Sequence, residues 1–144
     1  MDPFFGEDSH ALDPKGRIIL PIRFRERLAD AFVTSEVDCL GLWPRQAFLV
    51  RAEEMNRRSK SGDEADSDLA SFFFSGAREA APDKQGRVAI PPHLREFAGL
   101  ERDVVIVGAY DHVEVWDGAT WQDKKARGAE ASRRRRPAAA GAAS

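Results

Sequence analysis

Two stretches decide the fold: FFGEDSHALDPKGRIILPIRFRE at 4–26 and FSGAREAAPDKQGRVAIPPHLRE at 74–96. Shifted by 70 positions they coincide at nine of 23 residues: Phe4/Phe74, Gly6/Gly76, Ala11/Ala81, Asp13/Asp83, Gly16/Gly86, Arg17/Arg87, Pro21/Pro91, Arg25/Arg95 and Glu26/Glu96. Others are alike in kind, such as Ile18/Val88, Leu20/Ile90 and Phe24/Leu94. Farther on, an offset of 73 pairs DCLGLWP (38–44) with DHVEVWD (111–117), setting Trp43 on Trp116 and Phe48 on Trp121. A three-residue change in one loop reconciles both registers, so the chain carries a duplicated unit of roughly forty residues.

Each copy reads as β–turn–β–α–β–β. In D-x-x-G-R the glycine admits a left-handed turn, and the short carboxylate can accept hydrogen bonds from the backbone N–H groups that follow it. A short apolar strand comes next, Arg17–Leu20 or Arg87–Ile90. Pro21 or Pro91 closes it and opens a helix through FRERLADA or HLREFAGL, the second stopped by Gly99. Two more strands are expected in each copy, near Phe32–Thr34 and Cys39–Trp43, then near Val104–Gly108 and Val113–Trp116, with Asp111-His112 as a turn. One such unit is too small to bury much core, whereas two in tandem can. Between the copies, Pro44–Arg58 predicts a helix with Phe48, Ala52 and Met55 on one face, and Ser59–Ser67 a polar loop. Asp66 or Ser67 is then placed to cap a short helix, DLASFFF. The organisation expected is a first unit at 1–50, a helical connector at 51–72, a second unit at 73–121 and a basic tail at 122–144. The tail's low complexity predicts no fixed structure.

Composition excludes more than it selects. Of 144 residues, 42% are hydrophobic and 32% charged, as in an ordinary folded chain. The net charge of −2 is unevenly spread: from Gln122 onward seven Lys/Arg face two acids (+5), leaving fifteen against twenty-two (−7) in 1–121. A body of that sign binds DNA only if its cations share one face, so their positions matter more than their number. No apolar run reaches the ~18–20 residues that span a bilayer. MDPFFGEDSH lacks a basic-then-apolar leader pattern, and the lone Cys39 has no internal partner, so the expectation is a cytoplasmic protein without membrane contact. His10, His93 and His112 form no metal-ligand pair, and no phosphate loop or nucleophile motif is present. Asp13 and Asp83 are accounted for by their own turns. No catalytic residue, metal, cofactor or small-molecule substrate is therefore expected.

Arg17 and Arg87 are the sharpest candidates. A guanidinium beside a turn glycine can reach a phosphate or the O6/N7 edge of a guanine, and a two-stranded ribbon can enter the major groove. Equally, each arginine can pair with the aspartate four residues before it. Lys15, two residues from Arg17, shares its strand face. Arg23 and Arg25 follow in the first copy, Lys84 and Arg95 in the second, while Gly16 and Gly86 shape the turns with Asp13 and Asp83. The Arg133–Arg136 run reads either as accessory phosphate attraction or as a solvated end. The aromatics Phe72, Phe73, Phe74, Trp43, Trp116 and Trp121 read as core, some of them as subunit interface.

These residues resemble a known family. FFG followed by HALDPKGRIILPIRFR, and FSGA followed by DKQGRVAIPPHLREFAGL, are similar to the two halves of the MraZ regulators, from about Phe4 to Trp121. The resemblance implies an α+β, β-rich fold: a tandem pseudo-two-fold swapped-hairpin barrel of the AbrB/MazE/SpoVT group, with short flanking helices. It also implies a ring-shaped homo-oligomer binding short G-rich direct repeats in double-stranded DNA, nucleoid-associated. The implied role is a repressor of the division and cell-wall gene cluster that includes its own gene. The family motif falls on Asp13/Arg17 and Asp83/Arg87, its post-proline arginine on Arg25 and Arg95, and its first-turn basic position on Lys15. The second copy departs from it, with Gln85 at the basic position and Pro82 where Leu12 stands, which removes a ladder donor. The alternative is an antitoxin-like or scaffold module that uses the same fold to bind protein.

Overall fold

The computed structural model describes residues 2–143, with side chains described through Arg135. The described residues form eight strands and five helices. In the first half these are β1 (Glu7–Ala11), β2 (Arg17–Ile19), α1 (Ile22–Arg25), β3 (Ala31–Ser35), β4 (Leu40–Pro44) and α2 (Arg45–Ser59). After α3 (Glu64–Gly76) the order recurs as β5 (Arg78–Glu79), β6 (Arg87–Ala89), α4 (Pro92–Phe97), β7 (Asp103–Gly108), β8 (Val113–Asp117) and α5 (Gly118–Ala143). The β–turn–β–α–β–β order read from the duplication is the order observed.

The halves exchange strands. A six-stranded antiparallel sheet runs β1-β7-β8-β4-β3-β5, so β1 of the first half pairs with β7 of the second and β5 of the second with β3 of the first. β4 and β8 form the central seam. β2 and β6, one from each half, make a separate two-stranded ribbon with Ile18 opposite Val88. No closed barrel forms among the described residues: β1 and β5 lie at opposite edges of an open sheet, and β1 meets β2 through turn hydrogen bonds rather than a ladder.

Alternation along the strands explains the packing. Val104 and Ile106 of β7, with Val113 and Val115 of β8, turn to one face, where they meet Leu40, Leu42, Val33, the ribbon's Ile18 and Val88, and Phe24 and Leu94 of the short helices. Both halves thus build a single core. The other side chains of the same strands turn to the opposite face, as period-2 geometry requires. There, Trp43 and Phe32 pack with Phe48 and Met55 of α2 and Phe73 of α3, while Val105, Val107 and Trp116 pack with Cys39 and Trp121. Burial pushes the Cys39 thiol up, consistent with its packing role.

Three local expectations are corrected. The helix after Ser59 starts earlier than Asp66 or Ser67: Asp63 caps α3, accepting from the N–H groups of Ala65 and Asp66, so much of the anticipated polar loop is helical. Helix α1 spans only Ile22–Arg25, and the chain then turns through residues 26–30 rather than continuing as a helix through FRERLADA. Finally, the basic tail is helical to Ala143. Its Ala, Lys, Arg and Glu content favours helix intrinsically even without a face to bury. The duplication held a further signal, since the offset of 73 sets the start of α5 on the start of α2. The side chain of Arg136, the last of the basic run, lies outside the described residues.

Candidate nucleic-acid interface

The two D-x-x-G-R turns are built alike. Asp13 Oδ1 accepts from the backbone N–H groups of Lys15 (2.9 Å) and Arg17 (2.8 Å), and Oδ2 accepts from Arg17 Nε (2.7 Å). In the second turn Asp83 does the same for Gln85, Arg87 and Arg87 Nε, at 2.9, 2.9 and 2.8 Å. The Arg17 N–H, against a smaller opposing effect of desolvation, holds the Asp13 carboxyl below its ordinary range; the Arg87 N–H acts likewise on Asp83. Gly16 and Gly86 close the turns at φ of +76° and +79°, in the left-handed region that favours glycine. The pairing of each arginine with its own aspartate is thus realised. It is made through Nε, and among the described residues neither Nη group of Arg17 or Arg87 bonds to the carboxylate.

The ribbon fixes where these turns stand. Arg17 lies opposite Ala89 and Ile19 opposite Arg87, so the outward face carries Arg17, Ile19, Arg87 and Ala89 while Ile18 and Val88 face the core. Because the strands are antiparallel, the turns occupy opposite ends of the ribbon. Each is stitched to the other strand: Leu20 N–H donates to Gly86 O (2.8 Å) and Ile90 N–H to Gly16 O (2.9 Å). Four strand rises separate the ends, roughly 13 Å. Lys15 and Lys84 are exposed at the two tips, their side-chain amines without a hydrogen-bonded partner among the described residues.

The remaining candidates divide. Arg23 is not brought to the ribbon; its Nη1 pairs with Asp8 at 2.7 Å, and its guanidinium lies over the Phe24 ring. Arg25 and Arg95 do lie at the ribbon, half-buried and bonded to its backbone. Arg25 Nε donates to Leu20 O (2.9 Å) and Arg95 Nη1 to Ile90 O (2.7 Å). Each crosses to the opposite turn: a Cβ added at Gly16 would overlap the Arg95 guanidinium, and one added at Gly86 would overlap Arg25. The matched Gly/Arg identities of the repeat hinted at this, but nothing local says that each arginine serves the other copy's glycine.

The turns also differ. Gln85 accepts from Arg87 Nη2 at 2.7 Å and so occupies a second edge of that guanidinium; Lys15, at the equivalent place, leaves Arg17 unencumbered. Leu12 N–H donates to Arg102 O, a bond that Pro82 cannot make, and β5 has two residues where β1 has five. Arg102, absent from the sequence-derived candidates, is exposed beside the first turn. With Arg95, Glu101, Leu12 and Pro14 it lines a groove of about 660 Å³.

The family model described as "MraZ protein, putative antitoxin-like" matches twice, over residues 4–70 and 73–141. The chain belongs to the MraZ family. A relative from Kineococcus radiotolerans, named transcriptional regulator MraZ, is 47% identical over 121 residues, covering 83% of this chain and 84% of its own. One of the same name from Heliobacterium modesticaldum is 46% identical over 120 residues (82% and 83%), and one from a Nocardioides species 41% identical over 130 residues (89% of each). Both MraZ matches contain one D-x-x-G-R turn, so the ribbon joins the two family units. Among the described residues no helix is long and apolar enough to cross a membrane, and no group of three or more His, Cys, Asp or Glu is placed to hold a metal.

Proposed function

We propose that this MraZ-family chain is a sequence-specific DNA-binding transcriptional regulator that reads duplex DNA with the outward face of the β2–β6 ribbon. The observation that carries the reading is the placement of Arg17 and Arg87 on one exposed face, with Lys15 and Lys84 at the two tips. A two-stranded ribbon fits a major groove ~12 Å wide, and its ~13 Å between turns matches the rise of about four base pairs. The Nη edges of Arg17 suit the O6/N7 edge of guanine, in keeping with G-rich direct repeats as the operator. The relatives' name, transcriptional regulator, supports the same reading.

On this view Lys15 and Arg17 are the principal readers and Lys84 and Arg87 the secondary ones, because Gln85 occupies part of Arg87. Each chain offers a small basic footprint, so a ring-shaped homo-oligomer would present several to spaced repeats and combine them through effective concentration. Its target is the division and cell-wall gene cluster including its own gene, as a repressor, acting at the nucleoid.

The test is a salt-dependent binding titration with a duplex from the upstream region of the chain's own gene. The unsubstituted protein should bind with steep salt dependence, and Arg17→Ala should weaken binding and lower the slope by about 1. Undiminished affinity and slope in Arg17→Ala would remove the ribbon from the interface. Absence of a shift at low salt would favour a protein-binding, antitoxin-like role.

A further inference from the structure

Each post-proline arginine closes a three-point clasp on the opposite half. Ile90 N–H donates to Gly16 O, Ile90 O accepts from Arg95 Nη1, and the Arg95 guanidinium occupies the space that a Cβ on Gly16 would take. The mirror clasp joins Leu20, Gly86 and Arg25. A planar guanidinium can lie flat against a glycine and donate along its edge at the same time; an ammonium can donate but has no plane to lay down. A side chain at 16 or 86 would thus meet both the strain of a positive φ and the end of the arginine arriving from the other copy.

We propose that Arg95 and Arg25 are positioning residues that act crosswise, Arg95 setting the geometry of the first turn and Arg25 that of the second. Arg95 is fastened to the strand that flanks Gly16, so it holds Lys15 and Arg17 at the angle they present to DNA without touching DNA itself. The two turns are thereby made mutually dependent: neither half can form its own reading turn alone. For its DNA consequence this inference rests on the ribbon being the reading surface, but its geometric content does not.

Two measurements on the full chain test it. Without DNA, amide hydrogen exchange in Arg95→Ala should accelerate at Gly16 by tenfold or more and stay unchanged at Gly86, with Arg25→Ala showing the converse. A merely structural role would speed exchange at both turns together, and that result would overturn the proposal. With the own-promoter duplex, Arg95→Ala should leave the salt slope unchanged. It should be non-additive with Lys15→Ala and multiplicative with Lys84→Ala. Arg95→Lys is decisive between positioning and direct phosphate contact: positioning requires it to behave like Arg95→Ala, whereas near-normal binding by the lysine variant, or a slope lowered by about 1 in Arg95→Ala, would assign a phosphate contact instead. Should Arg95→Ala fail to fold, Gly16→Ala, which evicts the same guanidinium, should weaken first-turn coupling while sparing Lys84. If the unsubstituted protein does not bind the duplex, the DNA reading fails and the exchange pattern alone decides the positioning role.

Discussion

His112 lies flat on Trp43, ring centroids 4.1 Å apart and planes within 4°, at the seam where β8 of one half meets β4 of the other. The imidazole is held edgewise by two carboxylates, Nδ1 with Asp111 at 2.7 Å and Nε2 with Glu114 at 3.0 Å. Glu114 also accepts from Trp116 Nε1 (3.0 Å), and Glu36, itself paired with Arg51, accepts from Trp43 Nε1 (2.8 Å). Burial alone would depress protonation of His112, but its bonds to Glu114 and Asp111 outweigh that and raise its pKa above the ordinary 6.5. Burial likewise pushes Glu114 up, and the bonds from His112 and Trp116 more than offset it, leaving Glu114 below 4.5.

This pair gives the fold a pH dependence of definite sign. A histidine raised on folding contributes stability below its unfolded pKa near 6.5, lost as pH rises through the folded value. A lowered glutamate contributes above about 4.5, lost as pH falls through its own folded value. Thermal melts should therefore show a higher Tm at pH 6 than at pH 8.5. His112→Gln should flatten that alkaline decline. An unchanged decline in the variant would assign it to other groups.

Glycine substitutions should separate conformational strain from overlap. Gly99 has φ of +65° and open space around its missing Cβ, so Gly99→Ala should cost only the left-handed penalty, roughly 1 kcal/mol. Gly16→Ala bears a similar strain and must also displace the Arg95 guanidinium from Ile90 O, so it should cost more, about 2–3 kcal/mol. Urea unfolding of the two variants measures the difference directly. Equal losses would mean that Arg95 moves aside freely.

Because one core is assembled from both copies, the halves should unfold together. Leu20→Ala in the first half and Ile90→Ala in the second each remove a fully buried side chain from the same cluster and should destabilise by about 2–5 kcal/mol. Both should lower a single transition rather than split it. Two resolved transitions in calorimetry would show that the copies fold as separate units.

Among the described residues, the contacts of the C-terminal helix with the sheet lie at its beginning. Trp121 packs near Trp116 (5.5 Å between centroids) and its Nε1 donates to Glu7 Oε2, while Lys125 pairs with Glu7 at 2.7 Å. Truncation after Lys125 should lower helical circular dichroism yet shift stability by less than ~0.5 kcal/mol, as for exposed positions elsewhere. Trp121→Ala in the full chain should cost about 1–2 kcal/mol, less than a fully buried tryptophan. A larger loss on truncation than on Trp121→Ala would show that the distal helix packs on something beyond this chain.

Much of the candidate site was legible before any coordinates. The Asp13-to-Arg17 and Asp83-to-Arg87 turns follow from glycine's conformational freedom and the reach of a short carboxylate, both local properties. Arg23 shows where local reading stops. It sits one helical residue from Phe24 and resembles the other cations in sequence, yet Asp8, fifteen residues away, claims it. The tail differs from its expectation for another reason: low complexity limits what a segment can bury, but the helix propensity of Ala, Arg, Lys and Glu needs no buried face.

By itself, then, the sequence determined the duplication, the shape of each turn and the faces of each strand, because these depend on residues a few positions apart. Only the tertiary structure decided that β1 pairs with β7, β5 with β3 and β2 with β6, and hence that Arg95 covers Gly16 while Arg25 covers Gly86. Alternation tells a strand which side to bury but not which neighbour to bury it with. That choice is made when two units, each too small to close its own core, exclude water by sharing one.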